Sequence, residues 1–318
     1  MASDIAQINE WTWGYRVCRV LEVANKIGLF GAIAGKSLSL QELCDKCGTR
    51  PAMTEKLLIA CAAMGLAERD GALYKNSEFA ATYLVPGAPL YQGDIIAHSD
   101  AVRGFWDGLE EEICIEVPTE DEEKTHRNFI MGMHNITLAG RGRVFSDNID
   151  LGGRRRLLDV GGGPGTYSIL ACAKYAQLEA VVFDLPATIA IARQVVARQG
   201  FTDRIEFCEG DWEKDAFGEG FDVVLLSNVM HGEGRLAAMK LAKSIEAMEV
   251  GGLLVIQEFL LNDDKTGPLT AALFNMMVGA YSARELLLLV KEAGFVDGRV
   301  VVRDDELGAG WITAKKPH

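Results

Sequence analysis

From residue 159 the chain runs Asp159-Val-Gly-Gly-Gly-Pro-Gly165, and its glycines at 161, 163 and 165 let the backbone turn sharply and approach a ligand with no Cβ in the way. A dinucleotide fingerprint would need a further glycine at 166, where Thr166 stands, so that motif is absent. Asp184, in Phe183-Asp184-Leu185-Pro186, is placed to accept hydrogen bonds from a ribose diol. Asp211-Trp212, after Gly210, offers a carboxylate and an indole face to an adenine. Each group has a plainer reading, Asp184 as a helix cap and Trp212 as a core residue. Each also follows its own apolar run, and the three in succession point to a nucleoside-containing cofactor. Asp159, Gly161, Gly163, Asp184, Asp211 and Trp212 are its candidate binding residues.

Those groups need strands to hold them. Apolar runs at 157–160, 180–184, 205–208, 221–226 and 253–256 read as buried parallel strands. Helical stretches near 166–176, 187–199 and 235–248 alternate with them. Successive βα units imply an α/β fold with a doubly wound parallel sheet, whose functional residues belong at the carboxyl ends of the strands. A helix over 282–292 and a closing hairpin of 299–303 with 310–315 complete this part.

The first part of the chain has another texture. Val17, Val20, Leu21, Ala24 and Ile27 recur at helical spacing. Ser39 with Glu42 makes a capping box that opens a short helix, and Gly48 can end it. Thr49 and Pro51 announce a second helix, with Leu57, Leu58, Cys61 and Met64 on one face. Strands at 66–69 and 72–75, joined through Asp70-Gly71, follow as a hairpin. Helices followed by a two-stranded wing form a winged-helix pattern, which raises DNA binding. Charge argues against it: residues 1–90 hold nine basic and nine acidic side chains, and helix 51–64 carries only Lys56 and Glu55 as charges. Packing or dimerisation is the better use, and Trp11 and Trp13 on the first helix suggest an interface.

Composition supports that division. The 318 residues are 49% hydrophobic, enough for a large core, and the net charge of -13 repels phosphates and anionic membranes alike. Seven scattered cysteines do not form a disulfide framework, and Cys44-x-x-Cys47 lacks a second ligand pair for zinc. No basic n-region with an apolar h-region opens the chain, and no run of 18 apolar residues occurs, so a cytoplasmic, non-membrane protein is expected. Residues 107–123 hold nine acids and no base, which reads as a solvated helix end and loop without a metal. The expected domains are a winged-helix-like one over 1–95, a helical connector over 96–150 and the cofactor sheet over 151–318.

Taken in order, the Asp159–Gly165 loop, Phe183–Pro186, Gly210-Asp211-Trp212 and Leu225-Leu-Ser-Asn-Val-Met-His-Gly-Glu-Gly234 resemble the S-adenosylmethionine-dependent small-molecule O-methyltransferases of the plant caffeate and hydroxyindole type. The resemblance extends over nearly the whole chain, including Trp106-Asp-Gly-Leu-Glu110. It implies S-adenosyl-L-methionine as cofactor, an N-terminal dimerisation domain, a homodimer and a small, aromatic or apolar hydroxyl compound as acceptor. It adds Ser227 to the cofactor contacts, names His231 as the base that deprotonates the acceptor, and places Glu258 beside it. An imidazole suits that task because it takes up a proton near neutral pH. By family position Trp106, Phe129, Met133, His134, Phe274 and Met277 line the acceptor pocket, while His98 and His126 are surface or pocket-wall residues. The chain departs from many members in Gly232-Glu233, where they carry Asp-Trp, and at Ala280, where plant enzymes have a second glutamate. These departures leave C-, N- or S-methylation, or non-methylating chemistry on the same fold, as alternatives. A ligand-sensing winged-helix regulator is a remoter one.

Overall fold

A computed structural model of the protein describes residues 4–116 and 121–318. The chain forms two compact units, one of Met1–Thr119 with Leu261–Met277, the other of Glu120–Leu260 with Val278–His318.

The first unit is mostly helical. Its opening helix, Asp4–Lys26, buries Val20 and Ala24 and half-buries Val17 and Leu21, with Ile27 just past its end also half-buried, the spacing its sequence predicts. Ser39 and Glu42 form the reciprocal capping box, opening the helix Leu40–Cys47. Pro51 starts the helix Pro51–Ala63, where its missing N–H costs nothing. Three short strands, β1 (Leu38–Ser39), β2 (Ala67–Asp70) and β3 (Leu73–Asn76), make an antiparallel sheet in the order β1-β3-β2. The hairpin sits one residue later than its sequence suggests, because Asp70 still pairs with Leu73. Gly71, at φ +59°, then takes the first loop position, which a tight hairpin turn requires.

One polar cluster ties this unit together. Glu22, only 3% exposed, accepts hydrogen bonds from the guanidinium groups of Arg19 and Arg103 and from the Cys18 thiol. Arg103 lies on the helix Gly93–Asp107, so the cluster joins elements far apart in sequence. The acidic run is exposed throughout, except that Glu120 lies outside the described residues.

The second unit is a seven-stranded sheet. β4 (Arg156–Val160), β5 (Glu179–Asp184), β6 (Ile205–Glu209), β7 (Phe221–Ser227) and β8 (Met248–Glu258) run parallel. β9 (Val296–Asp304) and β10 (Ala309–Lys315) form the closing hairpin, with β10 antiparallel to β8. The order is β6-β5-β4-β7-β8-β10-β9. Both faces are covered, so the strands are apolar at consecutive positions. Leu157, Val182 and Leu225 pack into one core, and Leu158, Phe183 and Leu226 into the other. The chain moves outward from β4 through β6 and returns to β7. That reversal leaves a crevice between the carboxyl ends of β4 and β7, where such sheets bind ligands. Above it, the helix Glu122–Ile136 passes through a π-helical turn, Thr137–Arg141, into the helix Gly142–Asn148.

Candidate active site

A cavity of about 250 Å³ opens at that crevice. Its floor is the glycine loop. Gly161 stands at φ +64° and donates its N–H to the Phe183 carbonyl at 2.7 Å. A Cβ at Gly161 would come within 2.7 Å of Val229 Cγ1 and 2.8 Å of Trp212 Cζ3, so only glycine leaves the floor open. Gly163, beside it, donates its N–H to Asp184 Oδ2 at 2.9 Å, and the Leu185 N–H donates to Oδ1 at 2.8 Å. The two amides hold the Asp184 carboxylate at the end of β5. Each oxygen keeps a second lone-pair direction for a ligand hydroxyl. Burial pushes the Asp184 carboxyl above its usual range, against the pull of those amides, of Thr188 and of His126.

Asp159 closes β4 from below. It is 1% exposed, and its Oδ2 accepts from the Ser168 hydroxyl at 2.7 Å, whereas its Oδ1 is buried without any partner. Burial raises its pKa to about 6, with the Asp184 charge adding to the rise and the Ser168 bond opposing it. At the end of β7, Ser227 donates to Gln257 Oε1 at 3.0 Å. Asn228 follows at φ +53°, a left-handed conformation that asparagine tolerates better than most residues. Its Oδ1 is also buried and unpaired.

Of the cofactor residues predicted from sequence, Asp159, Gly161, Gly163, Asp184, Trp212 and Ser227 line this cavity. Asp211 is not among its lining residues. Its carboxylate accepts from the Glu213 N–H at 2.9 Å and from Lys214 Nζ at 2.8 Å, and these partners hold its pKa below the usual range. Phe129, Met133 and His126 line the wall. His134 instead lies 2.8 Å from Thr166 Oγ1, and burial lowers its pKa. Trp106, Phe274 and Met277 belong to the first unit. His231 and Glu258 stand together beyond the end of β7, with Nδ1 3.3 Å from Oε1.

Several side chains of this site went unnoticed in the sequence. Lys240, 4% exposed, donates to the Val229 carbonyl and lies 4.4 Å over the Trp212 ring, bracing two elements of the cavity wall. Arg141, Tyr167 and Asn228 line the cavity itself. Lys240 is one of three basic residues on its helix, with Arg235 and Lys243, and Arg141 stands in Gly140-Arg-Gly-Arg143; neither setting gives a local sign of burial.

The cradle fits S-adenosylmethionine. The open glycine floor admits a close-lying ligand, Asp184 can accept from a diol, Trp212 presents an indole, and the Asp159 and Asn228 oxygens are free for donors. A doubly wound sheet with these groups at its switch point defines a nucleoside-cofactor domain of the Rossmann-like kind. Comparison with known proteins narrows the class. Residues 113–296 match the model of the O-methyltransferase domain, and residues 10–86 that of the O-methyltransferase dimerisation domain. The chain is 34% identical to the 3-hydroxy-5-methyl-1-naphthoate 3-O-methyltransferase of Streptomyces sahachiroi, over 93% of this chain and 90% of that one. It is 29% identical to acetylserotonin O-methyltransferase of Bos taurus, over 92% of each. An O-methyltransferase family 2 protein of Planctomyces limnophilus, solved with apigenin, superposes with a TM-score of 0.82 at 27% identity, covering 99% of this chain and 97% of that one. The chain belongs to the S-adenosylmethionine-dependent O-methyltransferase family and carries both of its domains. Among the described residues, no helix is long and apolar enough to cross a membrane.

Proposed function

We propose that the protein transfers a methyl group to the hydroxyl of a small aromatic or apolar acceptor, with His231 as general base and Glu258 as the residue that positions it. The observation that carries this reading is the way Glu258 grips the segment after β7. Glu258 is 2% exposed, and its Oε1 accepts from the Met230 N–H at 2.7 Å and the His231 N–H at 3.2 Å. The same oxygen faces His231 Nδ1 at 3.3 Å. A carboxylate there favours the tautomer protonated at Nδ1, so Nε2 is the atom that takes the acceptor's proton. Bound S-adenosylmethionine supplies the sulfonium methyl that the acceptor oxygen attacks. The rest of the work is alignment, which in such displacements outweighs the base: orientation is worth roughly 7–11 kcal/mol, against about 3–5 for proton transfer.

An apolar acceptor is favoured by Phe129 and Met133 in the cavity wall, and by the naphthoate and apigenin in the names of the relatives. A homodimer is favoured by the dimerisation domain and by Ile8, Trp11 and Tyr15, which are 50%, 70% and 59% exposed along one helix face. His231→Ala tests the reading. Turnover on a hydroxynaphthoate should fall about 10²–10⁴-fold while the Kd for S-adenosylhomocysteine, read by calorimetry, stays within about twofold. Unchanged turnover would remove His231 from the mechanism.

A further inference from the structure

Arg141 lines the cavity with most of its hydrogen-bonding capacity unused. The residue is 6% exposed. Its Nε donates to the Leu307 carbonyl at 2.7 Å, and its guanidinium lies 4.6 Å over the Phe259 ring. Those two contacts fix the plane of the group. Its Nη1 and Nη2 make no hydrogen bond, and the side chain forms no ion pair, among the described residues. The buried residue thus brings five N–H donors and a positive charge to the cavity wall with one donor engaged. A protein tolerates that where a ligand completes the set. Arg141 also closes a π-helical turn, an irregularity that concentrates at functional sites.

The cavity's other unpaired atoms are two acceptor oxygens and the Tyr167 hydroxyl, which can donate or accept. Asp159 Oδ1 and Asn228 Oδ1 are both buried without partners. The polar wall therefore offers a planar cation on one part, the complement of a ligand carboxylate, and two bare oxygens on another, the complement of a ligand's donor groups.

We propose that Arg141 is the carboxylate-binding residue of this cavity, gripping a ligand carboxylate through its two terminal nitrogens. A planar fork of this kind binds carboxylates bidentately, and its fixed stack on Phe259 means that little freedom is lost on binding. The carboxylate has two possible sources, the amino-acid end of the cofactor or an acidic group on the acceptor. The inference rests on the cavity being the ligand site of the family, and it is independent of His231 acting as a base.

The test uses the full-length protein with Arg141→Met, which removes the charge, and Arg141→Lys, which keeps the charge but loses the fork. Calorimetry measures S-adenosylhomocysteine against 5′-methylthioadenosine, the same nucleoside thioether without the amino-acid group. On the protein loaded with S-adenosylhomocysteine, it also measures a hydroxynaphthoate against its methyl ester. If the carboxylate is the cofactor's, the Kd for S-adenosylhomocysteine rises on the order of 10- to 100-fold in Arg141→Met and less in Arg141→Lys, while 5′-methylthioadenosine binds as before. If it is the acceptor's, both nucleosides bind as before and the preference for acid over ester disappears. Arg141→Lys, the milder change, decides the matter should the methionine variant not fold. Equal weakening of both nucleosides, or no change in either nucleoside with an unchanged acid-to-ester ratio, overturns the proposal and leaves Arg141 as a brace between Leu307 and Phe259.

Discussion

Asp159→Asn should make the ligand-free protein more stable at neutral pH, although it removes a charge from the centre of the site. The carboxyl is buried, it is hydrogen-bonded by Ser168, and burial raises its pKa to about 6 from an ordinary 3.8. A folded-state pKa above the unfolded one means that the folded protein holds the proton more tightly. The corresponding stability is fully present below about pH 4 and is lost as pH rises through about 6. Two pH units correspond to about 3 kcal/mol, a large share of the stability of an ordinary domain. Asparagine keeps an acceptor for Ser168 and never ionises, so it does not incur this loss.

The assay is thermal unfolding of the wild type and Asp159→Asn, without ligand, from pH 4.5 to 7.5. Other carboxylates titrate over the same range, so the informative quantity is the gap between the two proteins. It should be small at pH 4.5 and widen to about 6–10 °C at pH 7.5 in favour of asparagine. A gap that stays flat across the range would show that Asp159 is not held protonated by its surroundings, and would refute the reasoning. The same variant should bind S-adenosylhomocysteine more weakly at pH 7.5, because an ionised Oδ1 is the better acceptor for a cationic group. Stability and ligand affinity would then move in opposite directions at one atom.

Gly161→Ala should impair the cavity without touching any charged group. Its Cβ would lie 2.7 Å from Val229 Cγ1 and 2.8 Å from Trp212 Cζ3 at a φ of +64°. About 1–3 kcal/mol of strain should appear as a lower Tm, with Trp212 displaced and S-adenosylhomocysteine bound at least tenfold more weakly. Retained affinity by calorimetry would mean that the loop shifts freely. Glu22→Gln should destabilise the first unit by about 1–3 kcal/mol, because it removes the charged acceptor that joins Arg103 and Arg19 to this helix and leaves them Asp100. Burial would raise the Glu22 pKa, but Arg103, Cys18 and Arg19 together hold it below the usual range. Its contribution is therefore present at neutral pH and lost as pH falls through that lowered pKa, the reverse of Asp159. Hydrogen exchange across the helices Asp4–Lys26 and Gly93–Asp107 at pH 7 is the measurement, and unchanged protection would count against the cluster.

Where sequence legibility stops is physically informative. The glycine floor, Asp184 and Trp212 were readable because each answers a local demand: a backbone that must turn at positive φ, or a side chain at the end of an apolar run. β8 was readable only in its centre, 253–256, because its first half contains Glu249, Gly251 and Gly252 and is strand by pairing rather than by hydrophobicity. The helix containing Leu273 follows the last parallel strand, yet Leu273 packs in the first unit's core; amphipathic spacing states that a face is buried but not against what. Asp211 pairs with Lys214, three residues on, a contact that its place after β6 did not announce.

Unpaired atoms are the hardest feature to foresee, since a hydrogen bond is absent only relative to the whole fold. Arg141 takes its single bond from Leu307 and its stack from Phe259, more than a hundred residues away. Asp159 has Ser168 for one oxygen and nothing for the other. Burial makes each such vacancy costly, so the fold can retain it only where binding offsets the cost. The atoms that the fold leaves unpaired are therefore the ones on which ligand affinity should depend most, and Arg141 and Asp159 are where that dependence can be measured.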